Sequence, residues 1–366
     1  MKQSERLMSL DALRGFDMLF IMGFASLVVA VCGLWPSAVT DAAAASMSHV
    51  AWDGFAHHDT IFPLFLFIAG VSFPYSVAKQ RAGGMSEGRI YAKIVRRGLT
   101  LVVLGMVYNG LFKLDFENLR IASVLGRIGL AWSIAAVLYL NFGVKTRAAI
   151  AVAVLAGYGA LSALVAAPDA AGAGPLTFEG NLAGYIDRQF LPGKLIYGSF
   201  DPEGLLSTVP AVVTAMLGMF TGEFVRRGDI RGGRKTLWMA AAAAALLAAG
   251  LAFSGVLPVN KKLWSSTFVC VVGAYSLGMF ALFYYLIDVR GWRRWTLFFR
   301  VVGLNSITIY LAQRIVGFGR ISDFFLGGIA SKCPEAVAAV ISSAGYVAVC
   351  WLFLYFLYRK NVFLKV

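Results

Sequence analysis

Apolar residues fall along this chain in long, nearly unbroken runs separated by charged segments. The runs cover Phe16–Leu34, Ile61–Val77, Leu99–Phe112, Val124–Leu140, Ala148–Ala167, Leu205–Phe224, Leu237–Leu257, Thr267–Ile287, Val301–Val316 and Ala336–Leu357. A helix needs about 20 residues to cross about 30 Å of hydrocarbon, and most of the runs reach or approach that length. The third is short and is expected to extend at either end. A transmembrane barrel would instead show alternating segments of about ten residues. The pattern predicts an all-α, polytopic transmembrane bundle of about ten spans, with residues 1–366 forming a single domain.

The placement of charge orients that bundle. With the N-terminus inside, the inner segments hold 23 of the 33 Lys and Arg residues and the outer segments hold 8, leaving Arg127 and Arg314 within spans. Every loop after the first span obeys the positive-inside alternation, and a missed or invented span would reverse the pattern downstream. Both ends are therefore expected inside. A cleavable signal peptide is the rival reading of the first run, because Ala42–Ala45 offers small residues for cleavage; Asp11, Arg14 and Asp17 interrupt its approach.

Composition agrees with lipid as the main solvent. Hydrophobic residues make up 59% of the chain and charged residues 14%, against about 45–50% and about 25% in soluble domains. Mean hydropathy is +0.74. A net charge of +14 would point to nucleic acid in a soluble protein. Here the basic groups flank apolar spans, so membrane lipid is the expected neighbour and nucleic acid is not an expected partner. Cys32, Cys270, Cys333 and Cys350 are scattered without metal-type spacing, so no metal is expected.

Two outer segments carry candidate chemistry. Residues 35–60 contain no Lys or Arg but hold all three histidines, His49, His57 and His58, together with Trp52 and Asp59. Histidine is the side chain best suited to proton transfer near neutral pH; the alternative is a polar cap, with Asp59 and Pro63 opening the second span. Residues 168–204 form the longest loop and carry Tyr185, Asp187, Arg188, Asp201 and Glu203, a set suited to a sugar or amine, or simply to loop folding. Asp11 and Arg14 are three apart on a helix and can pair, while Asp17 lies inside an apolar run, where an ionisable group is a functional candidate. Arg120 and Arg127, seven apart, are expected on one helix face. Asn305, Ser306, Tyr310, Gln313 and Arg314 in the ninth span either line a cavity or bridge helices.

A set of motifs then occurs in order: Ser9-Leu-Asp-Ala-Leu-Arg-Gly, His49-x-x-Trp-x-Gly, Asp59-x-x-Phe-Pro-x-Phe-x-Phe-Ile, Leu119-Arg-Ile-x-x-Val-Leu-x-Arg127, Gly184-Tyr-Ile-Asp-Arg, Asp201-Pro-Glu-Gly, Pro258-Val-Asn-Lys-x-Leu-Trp, Gly303-x-Asn-Ser and Tyr358-Arg-Lys. Together they resemble the heparan-α-glucosaminide N-acetyltransferase family and its bacterial relatives over nearly the whole chain. The resemblance implies an acetyl-CoA-dependent membrane acetyltransferase that takes acetyl from cytosolic acetyl-CoA and transfers it to the amino group of a terminal glucosamine beyond the membrane. It further implies a bacterial inner-membrane location and a homodimer. The family's catalytic histidine falls on His49, which would act either as general base or by taking the acetyl group itself, and Asp59 is expected to orient either the imidazole or the amine. Arg14, Arg96, Arg97, Arg127 and Arg300 are the candidates for the phosphates of acetyl-CoA. Trp52, Asp187, Asp201, Glu203 and Asn305 are those for the acceptor, on the side of loops 35–60 and 168–204.

Two positions depart from the family. Its asparagine near the outer end of the first span has no counterpart at Gly23, Phe24, Ala25 or Ser26, and Gln313 stands where a histidine is expected. The departures keep two rivals in view: an O-acetyltransferase acting on a cell-envelope glycan, and a transporter of a sugar or lipid-linked glycan, which would use Asp17, Arg127 and Arg314.

Overall fold

The computed structural model describes residues 7–364, so the inner-side charges expected at Lys2, Arg6 and Lys365 lie outside the described residues. Those residues form helices joined by loops: α1 (Met8–Cys32), α2 (Ala38–Ala45), α3 (His57–Ala82), α4 (Glu87–Tyr108), α5 (Val124–Asn141), α6 (Val144–Leu164), α7 (Leu182–Phe190), α8 (Thr208–Arg226), α9 (Gly232–Ala252), α10 (Ser266–Val289), α11 (Thr296–Gly303), α12 (Ser306–Ile315), α13 (Phe318–Ala330) and α14 (Glu335–Arg359). No strand of more than an isolated bridge occurs among them. Eight helices, α1, α3, α5, α6, α8, α9, α10 and α14, are long and apolar enough to cross a membrane. This is a polytopic helical membrane protein.

The other two predicted spans take a different form. The third is the C-terminal half of α4, which is 22 residues long. Its first half carries Arg89, Lys93, Arg96 and Arg97, so its length suffices but its composition does not match a plain apolar span. The predicted end at Phe112 falls in a separate short turn, Leu111–Lys113. The ninth is broken: α11 stops at Gly303 and α12 restarts at Ser306. Between them, Asn305 Nδ2 donates to the Val362 carbonyl at 3.0 Å and Asn305 Oδ1 accepts from the Thr308 hydroxyl at 3.1 Å. The Asn305 side chain thus ties the break to the C-terminal segment and to the first turn of α12. The first span also begins earlier than its apolar run, because Ser9, Leu10, Asp11 and Leu13 are helical and buried.

Helices α3, α8 and α10 form the centre, and α6, α9 and α14 face outward, as the share of each span buried in the protein indicates: 72%, 67% and 61% against 22%, 17% and 22%. Small residues bring the backbones together. A Cβ on Gly70 of α3 would overlap the Ala215 carbonyl, and one on Gly218 of α8 the Phe67 carbonyl. A Cβ on Gly15 of α1 would likewise overlap the Phe299 carbonyl of α11, and one on Gly303 the Asp11 carbonyl. In lipid, where helices gain nothing by hiding apolar surface from one another, such close approach is a main source of association. Helix α1 kinks at a π turn across Phe20–Phe24, where Gly23 has a φ of 108°.

Loop 35–60 is not irregular throughout: Ser37 caps α2, its hydroxyl accepting from the Thr40 N–H at 3.3 Å. Loop 168–204 contains α7, capped by Asn181, whose Oδ1 accepts from the Gly184 N–H at 2.7 Å. The Arg120–Arg127 expectation is corrected here. Arg120 lies in an extended segment bridged to Gly193, and α5 begins only at Val124 behind a Ser123 cap. The two arginines are therefore not on one helix face, although both reach the same loop.

Candidate active site

The His49 segment is held between α2 and the first turn of α3. Asp59, in that first turn, has a side chain only 1% exposed. Its Oδ1 lies 2.7 Å from His49 Nδ1, and its Oδ2 accepts from the Ala56 N–H at 3.2 Å. One carboxylate thus closes the start of α3 and orients the imidazole, so the capping and the functional readings of Asp59 are compatible. With Nδ1–H donated to Asp59, Nε2 is the ring's unprotonated acceptor nitrogen. The His49 side chain is 51% exposed, which leaves it accessible from outside the bundle.

A second loop, residues 258–265, buckles onto this segment. The Gly54 N–H donates to the Val259 carbonyl at 2.8 Å, Asn260 Nδ2 donates to Asp53 Oδ1 at 3.0 Å, and Lys262 Nζ donates to the Ala51 carbonyl. Asn260 Oδ1 accepts from the Leu263 N–H at 2.9 Å, which keeps the loop tightly turned. That turn delivers Lys261 to the imidazole. Its Nζ is 2.9 Å from His49 Nδ1, 3.2 Å from Nε2 and 3.4 Å from Asp59 Oδ1. Burial lowers the pKa of the Lys261 ammonium from its ordinary value, while the Asp59 and Glu203 carboxylates pull it upward. Sequence reasoning counted Lys261 only as an outer-loop charge. Its signal was present, since it stands inside the Pro258-Val-Asn-Lys motif.

The other two histidines divide. The His58 ring centroid is 4.5 Å from that of His49, whereas His57 turns inward, with Nε2 3.1 Å from the Tyr275 hydroxyl and its ring 4.4 Å from that of Phe20. Trp52 donates from Nε1 to the Leu176 carbonyl at 2.9 Å and packs edge-on against Phe178 at 5.2 Å, tying loop 168–204 to the His49 segment.

The acidic residues of that loop are largely occupied by the protein itself. Asp201 is fully buried and accepts two 2.7 Å hydrogen bonds from Arg120 Nε and Nη2. Arg120 also donates to Glu203. Asp187 is fully buried, with Oδ1 accepting from the Leu205 N–H at 2.9 Å, and burial pushes its carboxyl up to about 6. Arg127 donates to Ser207 Oγ and the Gly204 carbonyl and lies 5.0 Å from the centroid of Trp264. Of this group's carboxylates, Glu203 acts electrostatically on Lys261.

The bundle holds a cavity of about 420 Å³, within the roughly 300–1,000 Å³ typical of ligand pockets. Arg14 and Arg97 line one end, Met18, Ile21, Phe65 and Leu101 its apolar length, and Phe62 and Val124 the other end. Phe62 follows Asp59 by one helical turn and packs against Trp264 at 4.9 Å. The cavity therefore ends just under the loops that carry His49 and Lys261. Arg97 stacks over Trp132 at 4.3 Å, and its buried Nε has no hydrogen-bond partner. Among the predicted arginines, Arg14 and Arg97 line the cavity; Arg96, Arg127 and Arg300 do not. Arg96 is exposed, and the buried Nε of Arg300 lacks a partner. Asn305 sits at the helix break between cavity-lining Leu304 and Ser306, bonded to the C-terminal segment, apart from the other predicted acceptor residues.

A model of the family described as heparan-alpha-glucosaminide N-acetyltransferase, catalytic, matches residues 6–255. The chain is similar to heparan-alpha-glucosaminide N-acetyltransferase of Homo sapiens, with 27% identity over 375 residues, covering 87% of this chain and 55% of the relative. It is also similar to the Mus musculus protein of that name, with 26% identity covering 87% of this chain and 56% of the relative. The chain thus spans about half the length of the curated relatives it matches.

Proposed function

Since this chain belongs to the heparan-alpha-glucosaminide N-acetyltransferase catalytic family, we propose that it is a transmembrane acetyltransferase. It moves acetyl from acetyl-CoA on the cytosolic side to the amino group of a terminal glucosamine-type sugar on the far side. The observation that carries this reading is the cavity: two arginines line one end, and Phe62, one helical turn after the Asp59 that holds His49, lines the other. Guanidinium groups suit the phosphates of the donor, and an apolar passage suits its narrow thioester arm. The charge asymmetry of the loops supports the orientation, with Arg14 and Arg97 inside and His49 outside. It fits residence in a bacterial inner membrane.

In this reading, Asp59 holds His49 at Nδ1 and leaves Nε2 unprotonated, and His49 Nε2 takes a proton from the acceptor amine, as a general base must. Trp52 and the loop it ties down form the acceptor side, and the charge of Glu203 from that loop acts on Lys261. Arg97, whose Nε is unsatisfied in the protein, gains a partner when the donor binds.

The test is incubation of the purified protein with labelled acetyl-CoA and a panel of amino sugars, with the product identified as amide or ester. His49→Ala is expected to abolish transfer while retaining thermal stabilisation by CoA, because a half-exposed side chain contributes little to folding. Turnover like that of the wild type in His49→Ala would overturn the assignment.

A further inference from the structure

An acyl transfer to an amine needs more than a base. As the amine attacks, the thioester carbonyl oxygen takes on negative charge, and a positioned donor for that oxygen is commonly the largest single contribution to the rate. His49 and Asp59 do not supply one: the imidazole is the proton acceptor, and the Asp59 carboxylate would repel an oxyanion. Three neighbouring backbone donors are already used. The Gly54 N–H is bound to Val259, the Ala56 N–H to Asp59, and the His58 N–H to the Ser46 carbonyl at 3.0 Å. Lys262 is spent on the Ala51 carbonyl and rests over the Tyr197 ring at 4.6 Å. Arg120 is engaged through Nε and Nη2 by the Asp201 and Glu203 carboxylates, which offset its charge.

We infer that Lys261 is a further catalytic residue, its ammonium being the electrophilic group that stabilises the oxyanion of the tetrahedral intermediate. The inference rests on the acetyltransferase reading above. Three features support it. Lys261 Nζ lies within hydrogen-bonding distance of the His49 ring and 3.4 Å from Asp59, so it shares the reacting centre. Its side chain is only 14% exposed, which strengthens its field. The loop that carries it continues directly into Trp264, which packs on Phe62 at the end of the cavity.

The neutral amine forms a bond to the carbonyl carbon, and the C=O π pair moves onto oxygen beside Lys261 Nζ. His49 Nε2 accepts the amine proton. The pair returns to re-form C=O, the C–S bond breaks, and the departing thiolate takes the proton from His49. The products are an amide and CoA, and Lys261 ends as it began.

The experiment measures kcat and KM for acetyl-CoA and a glucosamine-terminated acceptor with wild-type protein, Lys261→Met, Lys261→Gln and Lys261→Arg. The neutral variants are expected to lose about 10²–10³-fold in kcat with little change in either KM. Lys261→Arg should recover a substantial part of that loss, because it keeps a cation in place. A purely structural lysine would not separate kcat from KM, nor charge from shape. The inference is overturned if a neutral variant turns over like wild type, if the loss lies in KM alone, or if Lys261→Arg is as slow as Lys261→Met. If Lys261→Met does not purify as folded protein, Lys261→Gln against Lys261→Arg makes the same comparison. Wild-type protein that transfers no acetyl to any amino sugar would sink the acetyltransferase reading itself, a failure distinct from a variant that merely matches an active wild type.

Discussion

Removing Arg120 should destabilise the outer side of the protein through the charges it leaves behind. Arg120 is 18% exposed at its side chain and clamps the fully buried Asp201 with two hydrogen bonds while reaching Glu203, 11% exposed. In Arg120→Met the methionine preserves most of the packing, but Asp201 keeps its negative charge in a site closed to water. Breaking a buried pair on one side costs about 3–5 kcal/mol. Two terms soften that figure: Asp201 still accepts from the Ile196 and Glu203 N–H groups at 3.2 and 3.0 Å, and partial exposure of Arg120 admits some water. The expected cost is about 3 kcal/mol, a fall on the order of 5 °C in the melting temperature of detergent-solubilised protein. The informative variant is the double change Arg120→Met/Asp201→Asn. Asparagine keeps an oxygen for the backbone donors but carries no charge, so it should recover about half of the loss or more. Thermal unfolding followed by helical circular dichroism, on all four proteins of the cycle, measures the coupling. A double variant no more stable than Arg120→Met would refute the reasoning, because the cost would then lie in lost contacts and not in a stranded charge.

Gly15→Ala should cost about 1–3 kcal/mol, since its methyl would overlap the Phe299 carbonyl and force α1 from α11; a variant as stable as wild type in the same unfolding assay would contradict the close packing. Asp187 contributes a pH dependence whose sign follows from its carboxyl being raised from 3.8 to about 6. Below about pH 4 both folded and unfolded states hold the proton; between there and about pH 6 only the folded state does, so stability falls as pH rises through that window, by up to about 1.4 kcal/mol per unit. Asp187→Asn should flatten that slope, which parallel melts from pH 4 to pH 7 would check. Arg97→Gln should raise KM for acetyl-CoA by about tenfold with little change in kcat, because a charge-assisted hydrogen bond to phosphate is made equally in ground and transition states; an unchanged KM would remove Arg97 from the donor site.

The amino-acid sequence by itself determined that this is a helical membrane protein and where its eight long apolar helices run, because the cost of exposing peptide groups to lipid is written into long apolar runs that need no partner to be recognised. It also marked the His49 and Asp59 pair through motif order, and the arginines from which Arg14 and Arg97 emerge at the cavity. It could not distinguish those two from Arg96, Arg127 and Arg300, since which guanidinium meets a cavity and which meets a carbonyl depends on how helices are rotated against one another. It read the segment around Asn305 as one span, because mean hydropathy averages over a break that local hydrogen bonds create. It assigned Asp187 and Asp201 to an acceptor, whereas the fold engages them with Leu205 and Arg120. Only tertiary structure decided that Lys261, some two hundred residues from His49, stands against the imidazole. Hydropathy is a property of each segment alone; a reacting centre is assembled between segments, by loops whose turns and close helix contacts leave no periodic trace.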